Sequence, residues 1–330
     1  MEQLKPKGQN GFSRFMNSYS IIFVTIIMII AATIAAQVMG GDNLGYNAFL
    51  NGGNFINILR NNSIIGILAL GMSFVIITGE IDLACGSQLV IVGLVIVNVL
   101  NATTSIPLAI ICGIAISVGI SAGTGFIIAK GRVPSFIVTL GMQYVLRSLA
   151  IFFMDARGVT AKVPEYQMIS NTDVGGVVPM PIIFFAGMFI LFFFISRKTV
   201  LGRRIYAVGS NERATKLCGI NTDKVKIMAF ILLGIAIAVA SITESSRMNS
   251  VNSSSTGTGY ELTAIAMAVV GGISMQGGKG SLIGTLFGML ILGIINNILT
   301  IVGMDVYLVN CVKGAIIIFA VLTQRKDTDR

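Results

Sequence analysis

Apolar residues run along this chain in long blocks, separated by short clusters of charge, Gly, Pro or Asn. A helix needs about 20 apolar residues to cross a bilayer. On that criterion the pattern predicts ten spans: Tyr19–Gly40, Asn62–Thr78, Gln88–Leu100, Ile106–Ala129, Pro134–Phe153, Val178–Ser196, Val225–Ile242, Leu262–Ser274, Ser281–Val302 and Val306–Leu322. The expected fold is all-α, a polytopic transmembrane helical bundle of about ten spans, with inverted halves of five helices and short broken helices. Residues 1–18 and 323–330 read as tails around a single transmembrane domain, 19–322. The first run follows Lys5, Lys7 and Arg14 and exceeds the apolar region of a signal peptide, about 7–15 residues. It reads as a retained first helix.

The third and eighth spans are too short to cross alone. Gly79-Glu80-Ile81-Asp82 through Gly86-Ser87-Gln88 borders one; Gly271-Gly272 and Gly277-Gly278-Lys279-Gly280 border the other. With five spans per half, the two fall at corresponding positions. Short or Gly-interrupted segments at matching places point to a substrate path between repeats. The alternative is two tight turns with misplaced boundaries, and no sequence repeat favours the first reading over it. Gly280, Gly284 and Gly288 recur every four residues and predict a face for close helix packing, as do Gly119 and Gly123.

Composition narrows the function. Hydrophobic residues are 54% of the 330 and charged residues 11%, against roughly 25% charged in soluble domains. The chain has no His, which removes Ser/His/Asp triads, Cys/His dyads, His-ligated zinc and axial-His haem. Cys85, Cys112, Cys218 and Cys311 are scattered and form no C-x-x-C pair, so no disulfide scaffold or zinc cluster is expected. Gly277-Gly278-Lys279-Gly280-Ser281 fails the phosphate-loop pattern, because position 273 is Ile and Gly280 follows the lysine. No catalytic residue, metal site or cofactor is expected, and the chain is not expected to hydrolyse ATP itself.

The net charge is +9. With the N-terminus inside, 17 of the 23 Lys and Arg fall on the inner side and only Arg60, Arg157, Lys162 and Arg247 outside. Arg147 and Lys313 lie within spans. This asymmetry predicts both termini in the cytoplasm, against an acidic inner leaflet of membrane lipid. Nucleic-acid binding would need a basic face with interleaved aromatics, which is missing. The largest basic block, Arg197–Lys226, is inside. Met154–Val177 and the Ser/Asn/Thr/Gly-rich Glu244–Tyr260 are expected as external loops.

A carboxylate at mid-membrane costs at least about 2.5–3.5 kcal/mol, so its presence there implies a role. Glu80 and Asp82 are the acids near a predicted break, with Ser87 and Gln88 beside them. These four and Asn296-Asn297 in the ninth span are the candidate translocation residues. For Glu80 and Asp82 the alternative is a wet inner turn; for the Asn pair it is hydrogen bonding between helices.

The inner segment Gly202-Arg203-Arg204-Ile205-Tyr206-Ala207-Val208-Gly209-Ser210-Asn211-Glu212-Arg213-Ala214-Thr215-Lys216-Leu217-Cys218-Gly219-Ile220 closely resembles the coupling segment of ribose/xylose-type ABC importer permeases, G-R-x-x-Y-A-x-G-x-N-x-x-A-A-x-x-x-G-I. Ala69-Leu70-Gly71-Met72 through Thr78-Gly79-Glu80-Ile81-Asp82-Leu83 and Gly86-Ser87 resembles that family's A-L-G-M…T-G-G-I-D-L-S-V-G-S signature. Gly259-Tyr260-Glu261-Leu262, Gly271-Gly272, Gly277-Gly278, Gly280-Ser281 through Gly284-Thr285 and Asn296-Asn297 resemble its C-terminal signature. The likeness covers about residues 54–322. Glu80 replaces the family's second Gly, Ala84-Cys85 replaces Ser-Val, and Thr215 replaces an Ala.

The resemblance implies a permease in the bacterial inner membrane, with a second permease copy, identical or different. ABC ATPase subunits would dock beneath it, and a periplasmic or lipid-anchored solute-binding protein would deliver a monosaccharide. It implies ATPase coupling through Gly209, Asn211, Glu212, Arg213, Ala214, Lys216, Gly219 and Ile220 in segment 197–226, acting as a lever on the helices attached to it. It also implies docking of the binding protein on the external loops, with Arg157, Lys162, Glu165 and Arg247. Alternatives are a nucleoside or branched-chain amino-acid permease, or an ion-coupled transporter using Glu80 and Asp82.

Overall fold

The computed structural model describes residues 51–305 without a break, together with 25, 29, 30, 33, 308–312, 314, 315 and 318. In chain order the elements are α1 (Gly52–Ile77), α2 (Cys85–Thr103), α3 (Ile106–Gly131), α4 (Ser135–Phe153), β1 (Gly158–Thr160), α5 (Glu165–Asn171), β2 (Asp173–Val174), β3 (Val178–Pro179), α6 (Met180–Lys198), α7 (Val200–Ser210), α8 (Glu212–Leu217), α9 (Thr222–Met248), β4 (Ser250–Asn252), α10 (Tyr260–Val270) and α11 (Leu282–Ile301). Seven of these, α1–α4, α6, α9 and α11, are long and apolar enough to cross a membrane.

α1 is the axis of the bundle. Its run Ile64–Ile77 is apolar or small on every side, and such a helix belongs in a core rather than at a surface. It is buried almost throughout from Asn62 onward, with α6, α9, α10 and α11 packed around it. α3 lies along α9, and α2 fills the space between α3 and α4. Large apolar side chains of α3, α4 and α6 stay exposed, among them Ile111, Phe126, Tyr144, Phe152, Ile190 and Phe194. A band of this kind requires lipid or further helices against it.

Short elements define the two ends. At the ribbon end β1 pairs antiparallel with β4, and β2 with β3. There α5 clasps the end of α9: Tyr166 Oη meets Ser245 Oγ at 2.6 Å, and Ser170 Oγ meets Ser246 Oγ at 2.5 Å. Burial pushes the Tyr166 phenol up to about 12, so it stays neutral in this clasp. The opposite end carries α7 and α8.

Two helices begin inside the bundle. Residues 78–84 leave α1 at the α7–α8 end, and α2 starts only at Cys85; its far end reaches the ribbon, where Asn101 donates to the Thr160 carbonyl at 2.9 Å. Residues 253–259 descend from the ribbon end before α10 starts at Tyr260. From α10 the chain reaches the α7–α8 end, where the Gly278 amide donates to the Ile77 carbonyl at 2.9 Å. The starts of α2 and α10 touch at Gly86 and Gly257, and the two helices run in opposite directions from that point. A Cβ on Gly86 would collide with the Gly257 carbonyl and the Glu261 carboxylate, so this crossing requires glycine. With 11 residues, α10 spans about 16 Å, half of a roughly 30 Å hydrocarbon core.

The described residues therefore carry eight of the ten expected segments, seven of them of spanning length. The first, Tyr19–Gly40, and the tenth, Val306–Leu322 with Lys313, lie largely outside the described residues. The third span is not short. α2 has 19 residues, because Cys85-Gly86-Ser87 and Asn101-Ala102-Thr103 continue the helix at its two ends. Ser87 and Gln88 thus sit in its first turn. The short reading holds for the eighth span, α10. The segment Glu244–Tyr260 is not all loop: α9 runs to Met248, and Ser245 and Ser246 return their hydroxyls to the Ser241 and Ile242 carbonyls, each at 2.6 Å. Met154–Val177 likewise holds β1, α5 and β2.

The glycine stripe is partly right. Gly284 and Gly288 pack so closely on Gly271 and Met267 that a Cβ would strike their backbone oxygens, whereas Gly280 lies before the helix. Among the described residues, nothing packs over Gly119 or Gly123.

Candidate translocation and coupling sites

The meeting point of α2 and α10 gathers polar groups in an apolar bundle. Two helix N-termini converge there, and each carries partial positive charge from its unpaired amides. A carboxylate sits at each. Asp82, 1% exposed, accepts from the Ala84 amide at 2.7 Å. Glu261, in the first turn of α10, accepts from Gln143 Nε2 at 3.4 Å and faces the charge of Arg147. Arg147 itself, from α4, donates through Nη1 to the Ser253 and Thr256 carbonyls at 3.0 and 2.8 Å. It satisfies backbone that the break before α10 leaves without helical partners. From α2, Gln88 Nε2 donates to the Ser117 carbonyl at 2.8 Å and to Ser121 Oγ at 2.9 Å. Ser117 Oγ continues to the Gly234 carbonyl at 2.7 Å. Ser87 is buried beside Gln88.

Three of the six candidate translocation residues therefore share this cluster: Asp82, Ser87 and Gln88. The others lie elsewhere. Glu80 is at the α7–α8 end, where its Oε1 is 2.8 Å from Lys226 Nζ. Asn297 exchanges amide hydrogen bonds with Asn54 at 2.9 and 3.0 Å, joining α11 to the start of α1. The Asn296 carbonyl accepts from Thr300 Oγ1 at 2.8 Å. Sequence reasoning missed Gln143, Arg147 and Glu261 as parts of one site. Glu261 left a signal, an acid at the start of a short apolar run, and Arg147 another, a cation within a predicted span; Gln143 became legible only through its contact.

The α7–α8 end is a helix held at both ends by its own sequence. Asn211 is extended and caps α8, its side chain accepting from the Ala214 amide at 2.9 Å. Gly219, at φ +78°, closes the other end; its amide donates to the Lys216 carbonyl at 3.0 Å and the Ile220 amide to the Thr215 carbonyl at 3.3 Å. That is a Schellman cap, which wants glycine at this position. Asn221 then caps α9 through the Lys224 amide at 3.0 Å. Thr215 fastens α8 to α7, its hydroxyl lying 2.9 Å from the Ala207 carbonyl and 2.8 Å from that of Asn211. The caps leave Arg213, Ala214 and Lys216 exposed, and Leu217 89% exposed. Ile220 is half-buried, while Gly209 faces inward against the Ile77 carbonyl and the Gly278 amide. Glu212 Oε2 is 2.8 Å from Lys226 Nζ. Above α8 opens a cavity of about 530 Å³ bounded by Glu80, Arg132, Glu212, Lys216, Asp223 and Lys226.

At the ribbon end Arg157, Lys162 and Glu165 are exposed. Arg247 is half-buried and donates through Nη2 to Asn61 Oδ1 at 2.7 Å. Among the described residues, no group of three or more acidic, Cys or His side chains is placed to hold a metal ion.

A family model described as branched-chain amino acid transport system / permease component matches residues 54–321. The ribose import permease protein of Escherichia coli strain K12 is 37% identical, over 97% of this chain and 97% of its own. That of Bacillus subtilis strain 168 is 37% identical over 84% of this chain and 87% of its own. The L-arabinose transport system permease protein of E. coli K12 is 30% identical over 97% and 94%. No solved structure matches significantly.

Proposed function

This chain belongs to the family of branched-chain amino acid transport system permease components, and on that footing we propose that it forms the membrane path for a monosaccharide in an ATP-driven importer. The relatives are transport subunits rather than enzymes. The end-to-end likeness to ribose and L-arabinose permeases carries the choice of solute class. A branched-chain amino acid, the solute in the family's description, is the second reading.

In this reading the α7–α8 end faces the cytoplasm, consistent with its basic block, and both chain termini lie on that side. The exposed face of α8, with Arg213, Lys216 and Leu217, seats in the ATPase subunit. The ribbon end, with Arg157, Lys162 and Glu165, receives the binding protein. The exposed apolar faces of α3, α4 and α6 are available to lipid and to a second permease copy. The polar break at Asp82, Ser87, Gln88 and Glu261 is the place where hydroxyl groups of a sugar could find acceptors and donors without a charged ligand being required. Asn54–Asn297 is an interhelical tie rather than a solute contact, and Arg247, expected at the binding-protein dock, also ties α9 to α1 through Asn61.

The experiment is purification of the tagged chain from native membranes in mild detergent. The expected companions are an ATPase chain and ATPase activity stimulated by a solute-binding protein. Ligand screening of that binding protein then separates the two solutes: a pentose is expected, and a branched-chain amino acid would replace the sugar reading. Purification of an active ion-driven transporter without an ATPase would overturn both.

A further inference from the structure

We infer that Glu80 is a positioning residue for energy coupling: through Lys226 it ties α8 to the irregular residues 78–84, so that movement of α8 is delivered to the base of α2. Lys226 Nζ lies 2.8 Å from Glu80 Oε1 and 2.8 Å from Glu212 Oε2. The Lys226 and Glu80 side chains are only 14% and 13% exposed. One ammonium thus bridges the first residue of α8 and the segment that leaves α1. A packed apolar contact transmits a push; the largely buried Glu80–Lys226 pair also resists separation, because its attraction is less screened than that of Lys226 with Glu212, whose side chain is 47% exposed.

The segment beyond Glu80 has little slack. The Glu80 amide donates to the Val75 carbonyl at 3.1 Å, the Ile81 amide donates to Ser135 Oγ at 3.1 Å, and Asp82 caps the turn through the Ala84 amide at 2.7 Å. Cys85, the first residue of α2, follows directly. A second attachment reaches the other break. Gly209 is pressed between the Ile77 carbonyl and Gly278, and Tyr206 Oη donates to the Gly280 carbonyl at 3.1 Å. Both irregular segments, 78–84 and 271–280, are therefore rooted on α7–α8. The stroke goes to the loops that join the α7–α8 end to the buried helices α2 and α10, in addition to the long helices α6 and α9 that flank α7–α8.

This inference rests on the reading of α8 as the seat of the ATPase, and its test separates the two. The complete importer, chain with ATPase and binding protein, is reconstituted in lipid nanodiscs with Cys112→Ala, Cys218→Ser and Cys311→Ser, leaving Cys85 at the base of α2 as the reporter. Its reaction rate with methyl methanethiosulfonate is measured without nucleotide and during ATP turnover. The expected result is a change of at least about five-fold on turnover. Glu80→Gln should abolish it with the complex still assembled; Glu80→Asp should retain it. A wild-type response in Glu80→Gln, or loss of the response in Glu80→Asp, would overturn the inference while the seat stands. Leu217→Asp tests the seat alone: loss of the ATPase from the purified complex is expected, and its retention would overturn the seat and the inference together.

Discussion

Arg147 shows how one residue can hold a break in a membrane bundle. Its guanidinium bonds the Ser253 and Thr256 carbonyls and lies near Glu261. Arg147→Met would leave the Ser253 and Thr256 carbonyls without their donor. Bonds to a charged donor are worth about 1.5–3 kcal/mol, and Arg147 is only half-buried, so the expected loss is about 1–2 kcal/mol, read as a lower Tm of the detergent-purified chain, with Arg147→Lys recovering part of it. An unchanged Tm in Arg147→Met would remove this assignment. Gly86 and Gly257 act by the opposite means, through the absence of a side chain where two backbones cross.

At the scale of elements, α8 is six residues long, too short to persist by propensity alone. It owes its shape to Asn211 at one end and Gly219 at the other. Asn211→Ala removes a cap worth about 1 kcal/mol, and Gly219→Ala forces a Cβ into left-handed backbone at a cost of roughly 1–2 kcal/mol. Neither change reaches the bundle core. In the reconstituted importer each should leave basal ATP hydrolysis in place while solute uptake per ATP falls about ten-fold. Uptake at the wild-type ratio in both variants would count against α8 as the coupling element. From sequence, Asn211 and Gly219 stood only as coupling residues implied by the family likeness, although Asn before a short polar helix and Gly after it are local capping signals. The extent of α2 was not legible there. Ser87 and Gln88 looked like a polar border, and only tertiary partners on α3 explain how Gln88 sits inside a buried helix.

For the whole molecule, orientation is the property most open to direct measurement. Cys218 is exposed just past α8. In a Cys112→Ala, Cys311→Ser background, a membrane-impermeant maleimide should label it in inside-out vesicles and leave it unlabelled in intact spheroplasts. The reverse pattern would invert the bundle and move the ATPase seat to the wrong side. The presence of the seven long apolar helices, the basic block 197–226 and the close packing at Gly284 and Gly288 were determined by the sequence itself. Each depends on residues adjacent in the chain or repeated at helical spacing, so the chain carries the instruction locally. The role of Glu80 was different. From sequence it stood as an acid near a break, open to a place on the solute path; the fold set it against Lys226 and Glu212. Likewise the fold paired Asn297 with Asn54, Arg147 with the unwound residues 253–256, and Gly86 with Gly257. Such pairs join residues far apart in sequence, and their distances depend on how every intervening helix packs, which no local pattern encodes.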